Sequence, residues 1–94
     1  MVEKRTYEFL LDNRLAREIL LDIVRANARS TTQISADLRT PHGKVRKVLN
    51  ELEKEGFLKG QPLAKVPTSA TALYSATEKG VAAARFIETI QISF

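Results

Sequence analysis

The run of residues from Arg39 to Lys47 holds the clearest chemistry in the sequence, because it carries four cations and no acid. Arg39, Lys44, Arg46 and Lys47 together equal the net charge of +4, which leaves 11 cations to balance the 11 acids found elsewhere. Guanidinium and ammonium groups gathered on a nearly neutral body favour a polyanionic partner that binds at a defined place. A solvated helix face would show the same charges, so charge alone leaves both interpretations open.

Composition excludes most other chemistry. The 94 residues include no cysteine and one histidine, which removes disulfides, thiol nucleophiles, thiolate metal sites and histidine metal clusters. No Ser-His-Asp or paired-carboxylate arrangement is present, so we expect no enzymatic activity, no metal and no cofactor. We expect His42 to be a surface polar residue. No segment approaches the ~20 apolar residues that span a bilayer, and no signal peptide is evident, so we expect a cytoplasmic protein without a membrane partner.

The segment that carries these cations is predicted to be a helix. Pro41 suits its first position, with Thr40 as the N-cap. Gly56 is placed to end the helix, and Phe57 can fold back onto it. Apolar residues recur at the i, i+3, i+4 and i+7 spacing of a buried stripe, at Val45, Val48, Leu49 and Leu52. Burial of this stripe turns the basic leading residues outward.

Two helical segments precede this one. RLAREILLDIVRANA has apolar residues at three- and four-residue steps, with Asn13 as its N-cap. The earlier TYEFLLDN is either a separate short helix or the front of the same one. STTQISADL predicts a helix of about two turns, which begins with a capping box between Ser30 and Gln33. The run Arg39-Thr40-Pro41 interrupts it, because a residue before proline is pushed away from helical geometry.

Helical periodicity is lost after Gly56. Two prolines and two Thr/Ser-rich patches predict two strands, over residues 57–61 and 70–75, joined by a long loop over residues 62–69. Thr77 and Glu78 then begin a last helix, because the acid in the first turn complements the helix dipole.

This order of elements predicts an α+β, mainly helical fold. Two helices joined by a tight turn, the second basic at its start, form a helix-turn-helix, and the following hairpin is a wing. The second helix of this motif places its N-terminal residues against base edges in the major groove. We therefore predict a single winged helix-turn-helix domain over residues 1–94, with a three-helix core, a two-stranded β wing and a C-terminal helix. The core covers residues 13–76, and the C-terminal helix, residues 77–91, serves dimerisation.

A family resemblance supports this fold. The run TTQISADLRTPHGKVRKVLNELEKEGFLKG, followed by LYSATEKG, resembles the winged helix-turn-helix of prokaryotic transcription regulators of the MarR, ArsR and PadR types. Residues 52–56 match their Leu-Glu-x-x-Gly signature, and Tyr74, Thr77, Lys79 and Gly80 match their signature at the second wing strand. The resemblance covers roughly residues 15–85 and implies a transcription regulator. One departure is the wing loop, where Lys65 is the only charge and relatives often have a basic cluster.

The predicted partner is double-stranded DNA, read by the helix over residues 41–55. Arg46 and Lys47 can reach guanine O6 and N7, and Asn50 could pair with adenine. A phosphate could accept backbone amides at the positive helix end. Three acids further along, Glu51, Glu53 and Glu55, predict a solvated face. The full predicted DNA-binding set is Thr32, Gln33, Arg39, Pro41, His42, Gly43, Lys44, Arg46, Lys47, Asn50, Lys59 and Lys65.

Apolar residues at both ends of the chain exceed what one small core can bury, which predicts a homodimer. The predicted interface residues are Tyr7, Phe9, Leu10, Phe86, Ile87, Ile90 and Phe94. A two-fold dimer would place two recognition helices ~34 Å apart on a palindrome. The alternative is that both ends complete the core of a monomer.

Two other functions remain open from the sequence. The domain could be a winged-helix protein interaction module within a larger assembly, with its basic helix face on an acidic partner. RNA binding is less favoured, because no exposed aromatic platform for stacking bases is apparent.

Overall fold

Helices and short strands alternate along the computed structural model, which describes residues 4–62 and 72–93, with side chains described for residues 8–61 and 73–89. The helices are α1 (Lys4–Asp12), α2 (Arg14–Ala26), α3 (Thr31–Leu38), α4 (His42–Lys54) and α5 (Glu78–Ser93). The strands are β1 (Arg29–Ser30), β2 (Leu58–Pro62) and β3 (Ala72–Ala76). The predicted α+β, mainly helical architecture is confirmed. No helix in the described ranges is long and apolar enough to cross a membrane.

Side-chain caps set where α2 and α3 begin. The Asn13 side chain accepts a hydrogen bond from the amide of Ala16 at 3.1 Å, so α1 and α2 are separate helices. Ser30 and Gln33 form the predicted capping box, in which each side chain accepts a bond from the other residue's amide, at 3.2 and 2.9 Å. Such caps satisfy amides that have no partner within the helix.

The start of α4 differs from the prediction by one residue. The helix begins at His42, Pro41 is its N-cap, and no side chain caps it. Thr40 was predicted as the N-cap, and this is wrong because its hydroxyl donates instead to the carbonyl of Leu38 at 3.0 Å. Arg39 ends α3 in the left-handed region at φ 51°, and the chain turns there between the two helices.

The strands form one antiparallel sheet in the order β1-β3-β2. Residues 57–61 and 70–75 were predicted as strands, and the observed β2 and β3 begin one and two residues later. Strand β1, in which Arg29 pairs with Tyr74 and Ser30 with Leu73, was not predicted. Most of the predicted loop over residues 62–69 lies outside the described residues.

The hydrophobic core lies where α2 packs against α4, α5 and β3. The predicted stripe of α4 is buried in it, at Val45, Val48, Leu49 and Leu52. Gly56 ends the helix with a φ of 85°. Phe57, which follows it, folds back into the same core, as predicted. Full burial of one large apolar side chain contributes about 1.5–3 kcal/mol, so this seam fixes which face of α4 points outward.

Thr77, Lys79 and Gly80 join the start of α5 to the end of α4. The amide of Thr77 donates to Phe57 O at 3.0 Å, and its hydroxyl accepts from the amide of Gly80 at 3.1 Å. Lys79 Nζ donates to Glu55 O at 2.6 Å and lies 4.9 Å from the centre of the Phe57 ring. A Cβ on Gly80 would lie 2.1 Å from Phe57 O, so this close approach requires glycine. The residues of the Thr-x-Lys-Gly signature thus hold the start of α5 against the end of α4.

Candidate nucleic-acid interface

The outward face of α4 is open to solvent along its first turns. All the residues that the sequence placed there are exposed, namely His42, Gly43, Lys44, Arg46, Lys47 and Asn50. Pro41, which precedes them, is exposed as well. The buried stripe lies on the opposite side, so the helix presents a cationic surface and an apolar one.

Three arginines elsewhere in the described chain are paired with acids, whereas the cations of this face are not. Arg14, Arg25 and Arg29 each lie within ion-pair distance of an acid, at 3.1, 3.9 and 3.4 Å. Among the described residues, the side chains of Arg39, Lys44, Arg46 and Lys47 form no ion pair with an acid. Their positive charge is therefore available to an external anion.

The leading end of α4 adds a backbone contribution to this charge. No acid lies in its first turn, and a Cβ added at Gly43 would meet nothing within 4 Å. The amides at a helix N-terminus carry a partial positive charge, which an acidic side chain would otherwise neutralise. A phosphate could approach the backbone here without a steric barrier.

Neighbouring elements extend the basic face unevenly. Arg39 is exposed in the turn before α4, and Thr32 and Gln33 are exposed at the start of α3. Gln33 already uses its side-chain oxygen in the capping box, which leaves its amide group for another partner. Lys59 is exposed on β2. Lys65 lies outside the described residues.

Glu53 has a role that the sequence did not reveal. It was predicted on a solvated face, and it is exposed, but its Oε2 accepts a hydrogen bond from the amide of Gly60 on β2 at 3.0 Å. Burial raises the pKa of the nearby Tyr74, as does the negative charge of Glu53, while the positive charge of Arg46 lowers it. Arg46 and Glu53 thus both lie within electrostatic range of the wing. No sequence signal pairs a helix acid with a strand amide.

An open cavity of about 330 Å³ borders the basic face between α2 and α4. Lys44, Lys47 and Glu51 line it on α4, and Asn13 and Leu15 line it from the start of α2. Glu51 is half-buried there, unlike the solvated acid that was predicted.

The residues predicted for a dimer interface have different environments. Leu10 and Ile87 are buried in the chain's own core, and Phe9 packs against that core. Phe86 remains 38% exposed, and Leu11, which was not predicted, is 44% exposed. The side chains of Tyr7 and Ile90 and all of Phe94 lie outside the described residues.

Comparison with solved structures identifies the architecture. FabT from Streptococcus pneumoniae, solved in complex with DNA, matches with a TM-score of 0.72 and 20% identity over 83% of this chain and 53% of its own. A mutant of MarR from E. coli, complexed with operator DNA, matches at 0.69 and 18% over 79% of this chain and 51% of its own. The fold is the winged helix of the MarR-type regulators.

The transcriptional regulator SlyA has the same winged helix, with a TM-score of 0.78 and 18% identity over 93% of this chain and 60% of its own. The chain therefore spans between about half and three-fifths of the length of these three proteins. No protein-family model matches the sequence, and no curated protein matches it. The likeness is thus one of fold.

Proposed function

We propose that this winged helix binds double-stranded DNA in a sequence-specific manner and regulates transcription, with α4 in the major groove. The observation that carries the proposal is the first half of α4, where exposed cations without acidic partners project opposite a buried apolar seam. A major groove admits an α-helix, and arginine or lysine at its start can bond guanine O6 and N7. The DNA complexes of FabT and MarR, which share this fold, support the same partner here.

The proposed contacts divide by what they can contribute. Arg46, Lys47 and Asn50 would read base edges, and each good bidentate pair discriminates by about 1–3 kcal/mol. Arg39, Lys59 and the open N-terminus of α4 would bind phosphates, which fixes register and carries no sequence information. Sequence specificity should therefore reside in residues 46–50 of α4.

We further propose that the regulator acts as a homodimer. Phe86 on α5 and Leu11 on α1 expose apolar surface that a second copy could cover. A two-fold dimer would bind a palindrome with its half-sites about one DNA turn apart.

Selection of bound duplexes from a random pool tests partner, specificity and symmetry together. We expect a palindromic consensus, and log affinity that falls with log salt by about 0.9 for each phosphate neutralised. A pool that yields no consensus, with no measurable duplex affinity at low salt, would reject the proposal. The basic face would then be better explained by an acidic protein partner.

Single substitutions on α4 test the assignment of its face. Arg46→Ala and Lys47→Ala should each weaken specific duplex binding by about 1–3 kcal/mol, because each removes a base contact. Both residues are exposed, so the urea unfolding midpoint should hardly change. Lys54→Ala is the matched control, since it removes an exposed cation from the last turn of the same helix. Equal affinity in all three variants would show that another surface meets the DNA.

A further inference from the structure

A hydrogen bond joins the recognition helix to the edge of the wing. Glu53 Oε2, on α4, accepts from the amide of Gly60 on β2 at 3.0 Å. Strand β2 lies at one edge of the sheet, where amides that face away from β3 have no strand partner. The carboxylate satisfies one of these amides and bridges two elements that both carry proposed DNA contacts.

The strand is shaped for this approach at Gly60. A Cβ at that position would lie 3.2 Å from Glu53 Oε2 and 3.0 Å from Cε1 of Tyr74. Both contacts would be tight. Because glycine has no Cβ, the carboxylate of Glu53 and the buried ring of Tyr74 can pack directly against the backbone of β2. Glu53, Gly60 and Tyr74 thus form one packed unit between α4, β2 and β3.

Proposed DNA contacts flank this unit on both sides. Lys59 is exposed on β2, next to the bonded amide. Arg46 lies seven residues before Glu53, about two helical turns, so both lie on the same side of α4. The spacing between Arg46 and Lys59 therefore depends on how firmly β2 is held against the helix.

We propose that Glu53 is a positioning residue for DNA recognition: it fixes β2 to α4, so that Arg46 and Lys59 meet the DNA as one rigid surface. This inference rests on the proposed function. It makes a counterintuitive prediction about charge. An acid close to DNA repels phosphate, so its removal would ordinarily tighten binding, whereas loss of this bond should weaken it.

Three substitutions of Glu53 separate the effect of its side-chain length from the effect of its charge. Glu53→Gln keeps the length and a carbonyl acceptor but removes the charge. Glu53→Asp keeps the charge but is one methylene shorter, and Glu53→Ala removes both. Glu55→Ala is the control, because it deletes another exposed acid at the same end of α4. Affinity would be measured for the selected duplex and its salt slope recorded, together with hydrogen exchange at the Gly60 amide and hydroxyl-radical footprints.

We expect Glu53→Asp and Glu53→Ala each to weaken duplex binding about threefold to tenfold, the range that one hydrogen bond supplies. Glu53→Gln and Glu55→Ala should bind at least as tightly as the parent protein. Hydrogen exchange at the Gly60 amide should accelerate in Glu53→Asp and Glu53→Ala. In the hydroxyl-radical footprints of these two variants, the DNA should lose protection at the edge of the binding site and keep it at the central major-groove contacts. A merely destabilised protein would lose the whole footprint uniformly.

Two results would overturn the inference while the proposed function stands. One is a parent protein that binds DNA while Glu53→Ala binds equally well or better. The other is that Glu53→Asp binds the duplex as tightly as the parent and Glu53→Gln binds it as weakly as Glu53→Ala. That result would show that the charge of the side chain matters and its length does not. No duplex binding by the parent protein would instead reject the proposed function, even if Gly60 exchange responded as expected.

Discussion

Arg39 combines an unusual backbone conformation with a charge beside the proposed DNA-binding helix. Its φ of 51° lies in the left-handed region, which costs a residue with a Cβ roughly 1–2 kcal/mol and which glycine or asparagine usually occupies. The residue is exposed, and its amide bonds the carbonyl of Ser35 to close α3. An arginine at this position gives the turn no conformational advantage, whereas its charge suits a phosphate contact.

Arg39→Asn should therefore separate folding from binding. Asparagine tolerates the left-handed conformation, so the free energy of unfolding in urea should stay the same or rise by up to about 1 kcal/mol. The slope of log affinity against log salt is negative, and it should become less steep by about 0.9, because one phosphate contact is lost. Arg14→Asn is a suitable control, since it removes an exposed arginine that pairs with Glu18 on α2. An unchanged salt slope would remove Arg39 from the interface.

At the scale of elements, two glycines illustrate opposite constraints. Gly80 sits against the backbone of Phe57, because α5 and the end of α4 are joined there. Gly43 lies in the first turn of α4 with open space around it. One glycine is required by packing, and the other leaves a surface free for a partner.

Alanine at each position should show this difference. Gly80→Ala should lower the free energy of unfolding by about 1–3 kcal/mol or more, because its Cβ would lie 2.1 Å from a carbonyl oxygen. Gly43→Ala should raise it by up to about 1 kcal/mol, since alanine favours helix, while weakening DNA binding where the backbone must approach closely. Urea unfolding and duplex titration of both variants measure these effects. A stabilised Gly80→Ala would contradict the packing account.

Elements were predictable from sequence wherever their signal is local. The cap at Asn13, the capping box at Ser30 and the apolar stripe of α4 each lie within one helix, and each was confirmed. The exposure of the basic residues in the first turns of α4 followed from that stripe.

Features that depend on long-range contact were missed. Strand β1 has only two residues and forms because β3 pairs with it. Two residues are too few to show the alternating apolar pattern that predicts a strand. Thr40 was mistaken for a cap for a local reason, because its hydroxyl can also bond the carbonyl of Leu38, two residues earlier in the chain. The bond between Glu53 and Gly60 arises only when β2 packs against α4. Whether the exposed residues bind DNA stays a prediction.

At the scale of the whole molecule, a charged cluster joins three elements. Asp22 on α2 lies near Asp37 on α3, and Arg29 on β1 pairs with Asp37 at 3.4 Å. Burial raises the pKa of Asp22, and a hydrogen bond to Asp37 and the negative charge of Asp37 raise it further, while Arg29 and Arg25 lower it. Its Oδ2 is buried without a hydrogen-bond partner among the described residues. Ionisation of Asp22 therefore costs more in the folded protein than in the unfolded chain.

Asp22→Asn should consequently stabilise the fold at neutral pH. Because the folded-state pKa of Asp22 is raised, its contribution to stability is greatest at acid pH and is lost as pH rises through that pKa. The variant should have a higher urea midpoint than the parent at pH 7, and the difference should shrink in acid as Asp22 takes up its proton. Glu8→Gln, at an exposed acid on α1, is the control. A variant less stable than the parent at pH 7 would mean that the arginines outweigh burial.

Assembly gives the last test at this scale, since Phe86 is a large apolar side chain left 38% exposed on α5. If the proposed dimer forms, sedimentation equilibrium should give twice the 10.5 kDa chain mass for the parent. Phe86→Gln should lower the association constant, because it removes apolar surface from the proposed interface. Arg85→Gln, at an exposed neighbour, should associate as the parent does. Weaker association should also reduce affinity for a palindrome more than for a single half-site. A parent that sediments as a monomer, bound or free, would refute the dimer.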